Sequence, residues 1–280
     1  MIHLSDIDNF VEVAKLGNLS RAAQRLGLSQ PALSHCIHRV ENALEAELFF
    51  RSKKGMELTP QGKRFFEQAH TLTNQWQQLV ESVHDEVNQA VGTIKLGVHT
   101  AVAQYTLPKF MPSFLNSYPK LSLQLNHGLS RHMTEKVVSS ELDAAIVVNP
   151  VKHPDLVIVD LCKDVVTVWH SKQCKNLKTL MVDPALIQSQ DILRKLSKKG
   201  FDFTNTIEST SLEVIAQLMV AGAGCAILPE RVVKAFSQGK AVQVKNAPQF
   251  NDRICLVFRP EFKKALRGQV FIDAAKAAKY

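Results

Sequence analysis

The sequence predicts a multidomain protein, α followed by α/β: a head of three short helices and a two-stranded wing, one long helix, and a two-lobed α/β region. Three observations predict it. Near the start, apolar residues at helical spacing are interrupted by Gly17 and Gly27. After Gly62, apolar residues recur at intervals of three and four through Val87 with no Gly or Pro between. Beyond Gly92, short apolar runs alternate with helical stretches, the pattern of α/β sheets. The 280 residues, 45% of them apolar, suffice for two or three cores.

The first helix covers Ser5 to Lys15, with Ile7, Phe10, Val11 and Ala14 on one face; Gly17 ends it and Asn18 caps the next. In "LSRAAQRLG" the paired Ala22 and Ala23 admit a neighbouring helix, and Gly27 closes the segment. Ser29 caps a third helix, Pro31 suits its first turn, and Ala32, Leu33, Ile37, Val40 and Leu44 form its expected buried stripe. "LFFRSKKGMELTPQGK" then reads as a wing with a basic tip.

In the long helix, Phe65, Ala69, Leu72, Trp76, Leu79 and Val83 make a near-heptad stripe. Pairing with a second copy is the natural reading; the alternative is a helix lying on its own chain's core. The strands expected after it are "TIKLGV", "LSLQLN", "DAAIVV", "VVTVWH", "TLMVD", "CAILP" and "ICLVF", in two sets of the parallel kind either side of "DLVIVDLCKDVV", which suggests two lobes joined by crossing strands. One terminal helix is expected from Glu261 to Tyr280. The boundaries follow: residues 1–60, 61–90 and 91–280, with lobe 1 about 91–161 plus 260–280 and lobe 2 about 162–259.

Charge and cysteines narrow the class. Residues 1–90 carry 9 Lys and Arg against 11 Asp and Glu, and residues 91–280 carry 25 against 15, so the surplus lies in the back of the chain. What matters for nucleic acid is a local patch, and Leu19 to Arg64 holds eight basic residues against four acidic ones. Five scattered cysteines, with no C-x-x-C pair, write neither a disulfide framework nor a zinc knuckle. No run approaches the ~18 apolar residues of a membrane helix, and "MIHLSDIDNF" is unlike a secretory signal, so no membrane and a cytoplasmic home are expected. Enzyme signatures are missing: there is no G-x-S-x-G, G-x-x-x-x-G-K or H-E-x-x-H, and "GAG" at Gly222 to Gly224 follows a helix instead of opening one. No cofactor is implied. His35 and His38, at i and i+3, have no third ligand arranged beside them, so no metal is expected. Cys174, between Lys172 and Lys175, could sense redox state, but an idle cysteine is the commoner case.

Taken together, "FVEVAKLGNLSRAAQRLGLSQPALSHCIHRVENAL" and "LFFRSKKGMELTPQGK", and more weakly "IKLGV", "LDAAIV" and "LMVAGAGCAILP", resemble the LysR-type transcriptional regulators. The resemblance covers nearly the whole chain. It implies a winged helix-turn-helix that binds double-stranded DNA, a dimerising linker helix, and a two-lobed effector-binding domain resembling periplasmic binding proteins. A homodimer or homotetramer gated by a small-molecule effector is the implied assembly.

The second helix of such a motif lies in the major groove. Gln30 can pair with adenine, Pro31 can touch a thymine methyl, and Ser34 can bond base or phosphate. His35 and His38 lie close to that face; Arg21, Arg51, Lys53 and Lys54 suit phosphate or minor-groove contact. The family commonly has Lys or Arg where this chain has the two histidines, so phosphate attraction should be weaker at neutral pH and rise toward pH ~6.5. It usually has glycine at Glu45, where either the helix runs on or the turn is strained. In two-lobed α/β proteins ligands bind beyond the carboxyl ends of the strands. That rule selects Thr100, Ala101, Val102, Ser130 and Asn149 in lobe 1, and Asp183, Pro184 and Ile227 in lobe 2. A surplus of positive charge and helix N-termini suggest an anionic effector.

Overall fold

The computed structural model describes residues 2–52, 55–84, 90–175 and 177–280, and the backbone alone at 77, 78 and 81–84. Lys53, Lys54, Val87 and the side chain of Val83 therefore lie outside the described residues. The chain divides into two compact units, Met1–Asn88 with Ser139–Glu141, and Gln89–Val138 with Leu142–Tyr280.

The first unit contains α1 (Leu4–Leu16), α2 (Leu19–Leu26), α3 (Gln30–Ala43), β1 (Phe49–Ser52), β2 (Gly55–Leu58) and α4 (Pro60–His84). Local chemistry sets the helix ends. Gly17 ends α1 with φ +58°, Asn18 Oδ1 accepts the Arg21 N–H, and Ser29 Oγ accepts the Ala32 N–H. The antiparallel wing is tied to the first turn by the Met56 N–H, which donates to Gly17 O at 2.9 Å. Gly55 is required there: a Cβ on it would stand 2.5 Å from that same carbonyl. Phe10, Val13, Ala22, Leu33, Ile37 and Val40 form the core, and Phe65 and Ala69 of α4 pack into it.

The buried stripe of α3 differs from expectation at three positions. Ala32 and Leu44 are exposed and Cys36 is buried. The inward arc of a helix passes through 33, 36, 37 and 40, which turns Ala32 outward, and Leu44 has already left the helix as its C-cap. Glu45 resolves the open alternative in favour of the strained turn, with φ +49° in a residue that has a Cβ.

The second unit runs β3 (Gly92–Val98), α5 (Thr100–Thr106), α6 (Met111–Ser117), β4 (Leu121–His127), α7 (Ser130–Val138), β5 (Ala144–Val148), β6 (Val157–Ser171), β7 (Thr179–Val182), α8 (Ile187–Lys198), β8 (Asn205–Glu208), α9 (Leu212–Val220), β9 (Cys225–Pro229), α10 (Glu230–Ser237), β10 (Ala241–Gln243), β11 (Phe250–Phe258), α11 (Pro260–Lys264) and α12 (Leu266–Ala277). The strands are ordered β4-β3-β5-β11-β6-β9-β7-β8, with β10 on β6.

The two strand sets joined by crossing strands are found as expected, but the parallel pairing expected throughout needs correction for "VVTVWH" and "ICLVF". β3, β4 and β5 are parallel, as are β7, β8 and β9, but β11 and β6 join the two groups through antiparallel pairing. The 15-residue β6 accounts for this: its first part pairs with β11 and its last part with β9 and β10. These two long strands are the connection between lobes. The expected single terminal helix is also broken, because Ala265 is extended (ψ 138°) between α11 and α12. Gly268 lies so close to the Phe262 carbonyl that a Cβ there would collide with it. Phe262, Phe271, Ile272 and Ala275 nevertheless pack against β3, β5 and β11 in the lobe 1 core.

Candidate functional site

In the head, α3 is anchored by Leu33, Ile37 and Val40, each fully buried. Gln30, Pro31, His35 and His38 are exposed and Ser34 is half-buried; the i, i+4 spacing keeps Gln30 and Ser34 on one face. Arg21 is exposed at the start of α2.

The wing is held to α3 by Glu41, which sequence reasoning counted only as a negative charge. Its Oε1 accepts the N–H groups of Leu48 (3.0 Å) and Phe49 (3.2 Å), and its Oε2 accepts from Arg51 Nη2 at 3.0 Å. Arg51 Nη2 also stands 3.5 Å from His38 Nδ1. Arg51 thus has one face committed within the head. A groove of about 720 Å³ follows, lined by Glu41, Glu45, Glu47, Phe50 and Arg51 among others.

A second unforeseen cluster joins α1 to α3. Asp6, 2% exposed, accepts from Arg39 Nη2 (2.6 Å) and Nε (3.2 Å) and from the His3 N–H (3.0 Å), with Cys36 Sγ 3.3 Å away. The Arg39 guanidinium holds the Asp6 carboxyl down at about 2, while burial raises the Cys36 thiol. No sequence spacing signals contacts 30 to 33 residues apart.

In the second unit, His99 caps α5, its Nδ1 accepting the Ala101 N–H at 3.2 Å, and burial lowers its pKa. Thr100 is exposed. Its neighbours are not: Val102 packs in the lobe 1 core, and Ala101 with Met181, Leu212, Ile215 and Met219 of lobe 2. Gln104 Nε2 donates to Glu213 Oε1 at 3.2 Å, and Tyr105 packs against both cores, so α5 bridges the lobes.

The other expected residues have different settings. Ser130 Oγ accepts the Val148 N–H, which fixes the end of β5. Asn149, at φ +50°, exchanges hydrogen bonds with the Arg253 backbone and donates to Asp252 Oδ1 at 2.6 Å. Asp183 is fully buried; Oδ1 accepts the Ala185 N–H, whereas Oδ2 has no hydrogen-bond partner among the described residues. Pro184 is half-buried, its carbonyl accepting from Gln190. Ile227 is sealed among Val166, Val168 and Leu180 and offers no surface to a ligand, because strand β9 carries it inside the lobe 2 sheet.

Asp164 of β6 and Asp252 of β11 stand directly opposite across the strands that join the lobes. Directly opposed residues share a face, so two buried carboxyls confront each other. Asp164 Oδ1 accepts from the Val165 and Arg231 backbone, and its Oδ2 has no hydrogen-bond partner among the described residues; Gln188 Nε2 approaches Asp252 Oδ2 at 3.4 Å. Burial pushes Asp164 up to about 6, and burial followed by the charge of Asp164 pushes Asp252 up to about 7. Among the described residues no three His, Cys, Asp or Glu side chains gather as a metal-binding group, and no helix is long and apolar enough to cross a membrane.

A winged helix-turn-helix unit and a two-lobed α/β unit in one chain define a DNA-binding regulator with an effector-binding domain. Residues 4–63 match the family described as bacterial regulatory helix-turn-helix protein, lysR family, and residues 88–279 match the LysR substrate binding domain. The chain belongs to the LysR family of transcriptional regulators. It is 28% identical over 280 residues to the HTH-type transcriptional regulator YofA of Bacillus velezensis, covering 97% of each chain. The fold is similar to that of a full-length OxyR variant from Pseudomonas aeruginosa (TM-score 0.75, 23% identity, 100% of this chain and 96% of that one). It is also similar to full-length CbnR complexed with its target DNA (TM-score 0.69, 19% identity, 98% and 99%).

Proposed function

We propose that this regulator is a ligand-gated DNA switch in which α3 reads base edges and the wing grips the backbone. The observation that carries the reading is the division of α3 into a fully buried anchor and an outward face of Gln30, Pro31, Ser34, His35 and His38. Arg21, Arg51, Lys53 and Lys54 serve phosphate or minor-groove contact. Two copies pair through α4, using the exposed Leu72, Trp76 and Leu79 and continuing to Val83, as a homodimer or a homotetramer built from it. The heads then stand one or more helical turns apart on a pseudo-palindromic site. The protein works in the cytoplasm, in keeping with five cysteines scattered without the pattern of a disulfide framework.

The effector enters between the lobes near Thr100, Asn149 and Asp183 and biases one lobe arrangement over another. An anionic effector rests on the net positive charge of residues 91–280. A second reading, an effector with a positive nitrogen or several hydrogen-bond donors, is favoured by the buried, unpartnered oxygens of Asp183 and Asp164. The test of the switch itself is retardation of a promoter fragment from the gene's own neighbourhood at low salt. The wild type should shift it in preference to competitor DNA, and Gln30→Ala, Ser34→Ala should lose that preference. Equal behaviour of the two proteins would sink the reading.

A further inference from the structure

Gln30 opens α3 and Ser20 lies in the first turn of α2, ten positions earlier. The Ser20 hydroxyl donates to Gln30 Oε1 at 3.1 Å, across the turn of the helix-turn-helix. Both side chains are exposed, so this bond lies on the surface that α3 presents outward and not in the core. It is absent from the capping pattern of either helix, which is completed by Asn18 and Ser29.

We infer that Ser20 is a positioning residue for base recognition, holding the Gln30 amide oxygen toward α2 and turning its Nε2–H2 group outward as a hydrogen-bond donor. The inference rests on the reading that Gln30 reaches a base edge. A primary amide turned by ~180° about its last bond exchanges donor for acceptor at little cost, so an unrestrained glutamine reads either kind of edge. Two features oppose that exchange here. The hydroxyl engages the oxygen end. The N-terminal end of α2, where Ser20 sits, carries partial positive charge, which favours an oxygen over an NH2 group facing it.

The consequence is a base preference. A donor presented to the major groove suits guanine, with O6 and N7, and thymine, with O4; it meets only the N4 amino donor on cytosine. Adenine, which offers one acceptor and one donor, is intermediate. Ser20 would thereby set specificity at one base pair of each half-site without touching the base.

The test is selection of bound duplexes from a randomised library by the full-length protein, with sequencing of the bound pool. Wild type should favour guanine or thymine over cytosine at one position per half-site, and Gln30→Ala should flatten that position. Ser20→Ala should reduce the preference there by roughly three- to tenfold, the worth of one hydrogen bond, with affinity for non-specific duplex unchanged. Ser20→Thr, which keeps the hydroxyl, should restore it. An unchanged preference in Ser20→Ala overturns the inference, as does an equal loss on all duplexes with a salt slope lowered by about one, the mark of a phosphate contact. A position that Gln30→Ala flattens but that favours cytosine or adenine in wild type also overturns it, leaving the base contact itself intact. If Gln30→Ala alters no position, the base contact fails and the inference with it.

Discussion

Asp6 and Arg39 are 33 residues apart and join α1 to α3. The carboxyl is buried while the guanidinium is half exposed, so the pair combines a charged hydrogen bond with partial screening by solvent. A charge-assisted bond of this kind contributes about 1.5 to 3 kcal/mol, and the exposed Arg39 places the value toward the lower end. Asp6→Asn should therefore lower head stability by about 1.5 kcal/mol, measured by urea unfolding at pH 7. The pH dependence has a definite sign. The folded carboxyl sits at about 2, below its ordinary value. Its contribution is present in full above the unfolded value near ~3.9 and disappears as the pH falls through about 2. Wild type should lose stability over that window, and Asp6→Asn should lose less. Parallel acid limbs for the two proteins would mean that the clamp is energetically idle. Glu41 acts similarly between α3 and the wing, and neither residue could be singled out in the sequence, because a carboxylate written among polar neighbours does not announce a distant partner.

At the scale of elements, α4 shows what periodicity reveals and what it does not. The intervals of three and four from Phe65 onward identify one helical stripe, but that stripe changes partner along its length. Phe65 meets Phe10 at a ring separation of 4.9 Å and Ala69 is buried in the head core, whereas Trp76 is 50% exposed and Leu72 and Leu79 are similarly open. The first two expected interface residues thus belong to the head, and Leu72, Trp76 and Leu79 remain for a second copy. Trp76→Glu with Leu79→Glu should convert the dimer to a monomer in light-scattering measurements. Affinity for a two-half-site operator should fall by about a hundredfold, since each head then binds alone. Phe65→Ala should leave the assembly intact while costing the head about 3 kcal/mol. A double mutant that stays dimeric with unchanged affinity would assign the interface elsewhere. The short helices of the head were legible because their signals are local: Gly17, Asn18, Gly27 and Ser29 act within a turn of where they stand. The break at Ala265 was not, since it follows from contact between Gly268 and Phe262. The four-residue β8 and three-residue β10 are too short for alternation to register. That crossing strands join the lobes was legible; the antiparallel direction of β11 and β6 was not, because apolar runs do not encode strand direction.

For the whole molecule, the proposed effector site between the lobes raises the question of which chemical class it would hold, and the opposed carboxyls of Asp164 and Asp252 bear on it. Positive charge on residues 91–280 attracts anions from a distance, but the arginines on and beside the strands joining the lobes are already engaged. Arg231 donates its guanidinium to the Lys163 carbonyl and lies over the Tyr105 ring, and Arg253 is paired with Asp160. Asp164 and Asp183 each keep a buried oxygen with no hydrogen-bond partner among the described residues. A carboxyl whose pKa is raised on folding destabilises the fold as pH climbs from the unfolded value toward the folded one, and the cost is constant above it. With folded values of about 6 and about 7, the effector domain should therefore gain stability as pH falls from 8 toward 5. Asp252→Asn should reduce that gain. The same titration separates the two classes of effector. In thermal-shift measurements on the full-length protein, alkylammonium or guanidinium probes should raise Tm at pH 8, and the shift should shrink below pH 6 as the carboxyls become neutral. It should also shrink in Asp164→Asn, Asp252→Asn. Simple carboxylates should do the opposite, binding better once the pair is neutral. Stabilisation by carboxylates at pH 8, with none by the amines, would favour the anionic class and reduce the opposed carboxyls to a structural hinge.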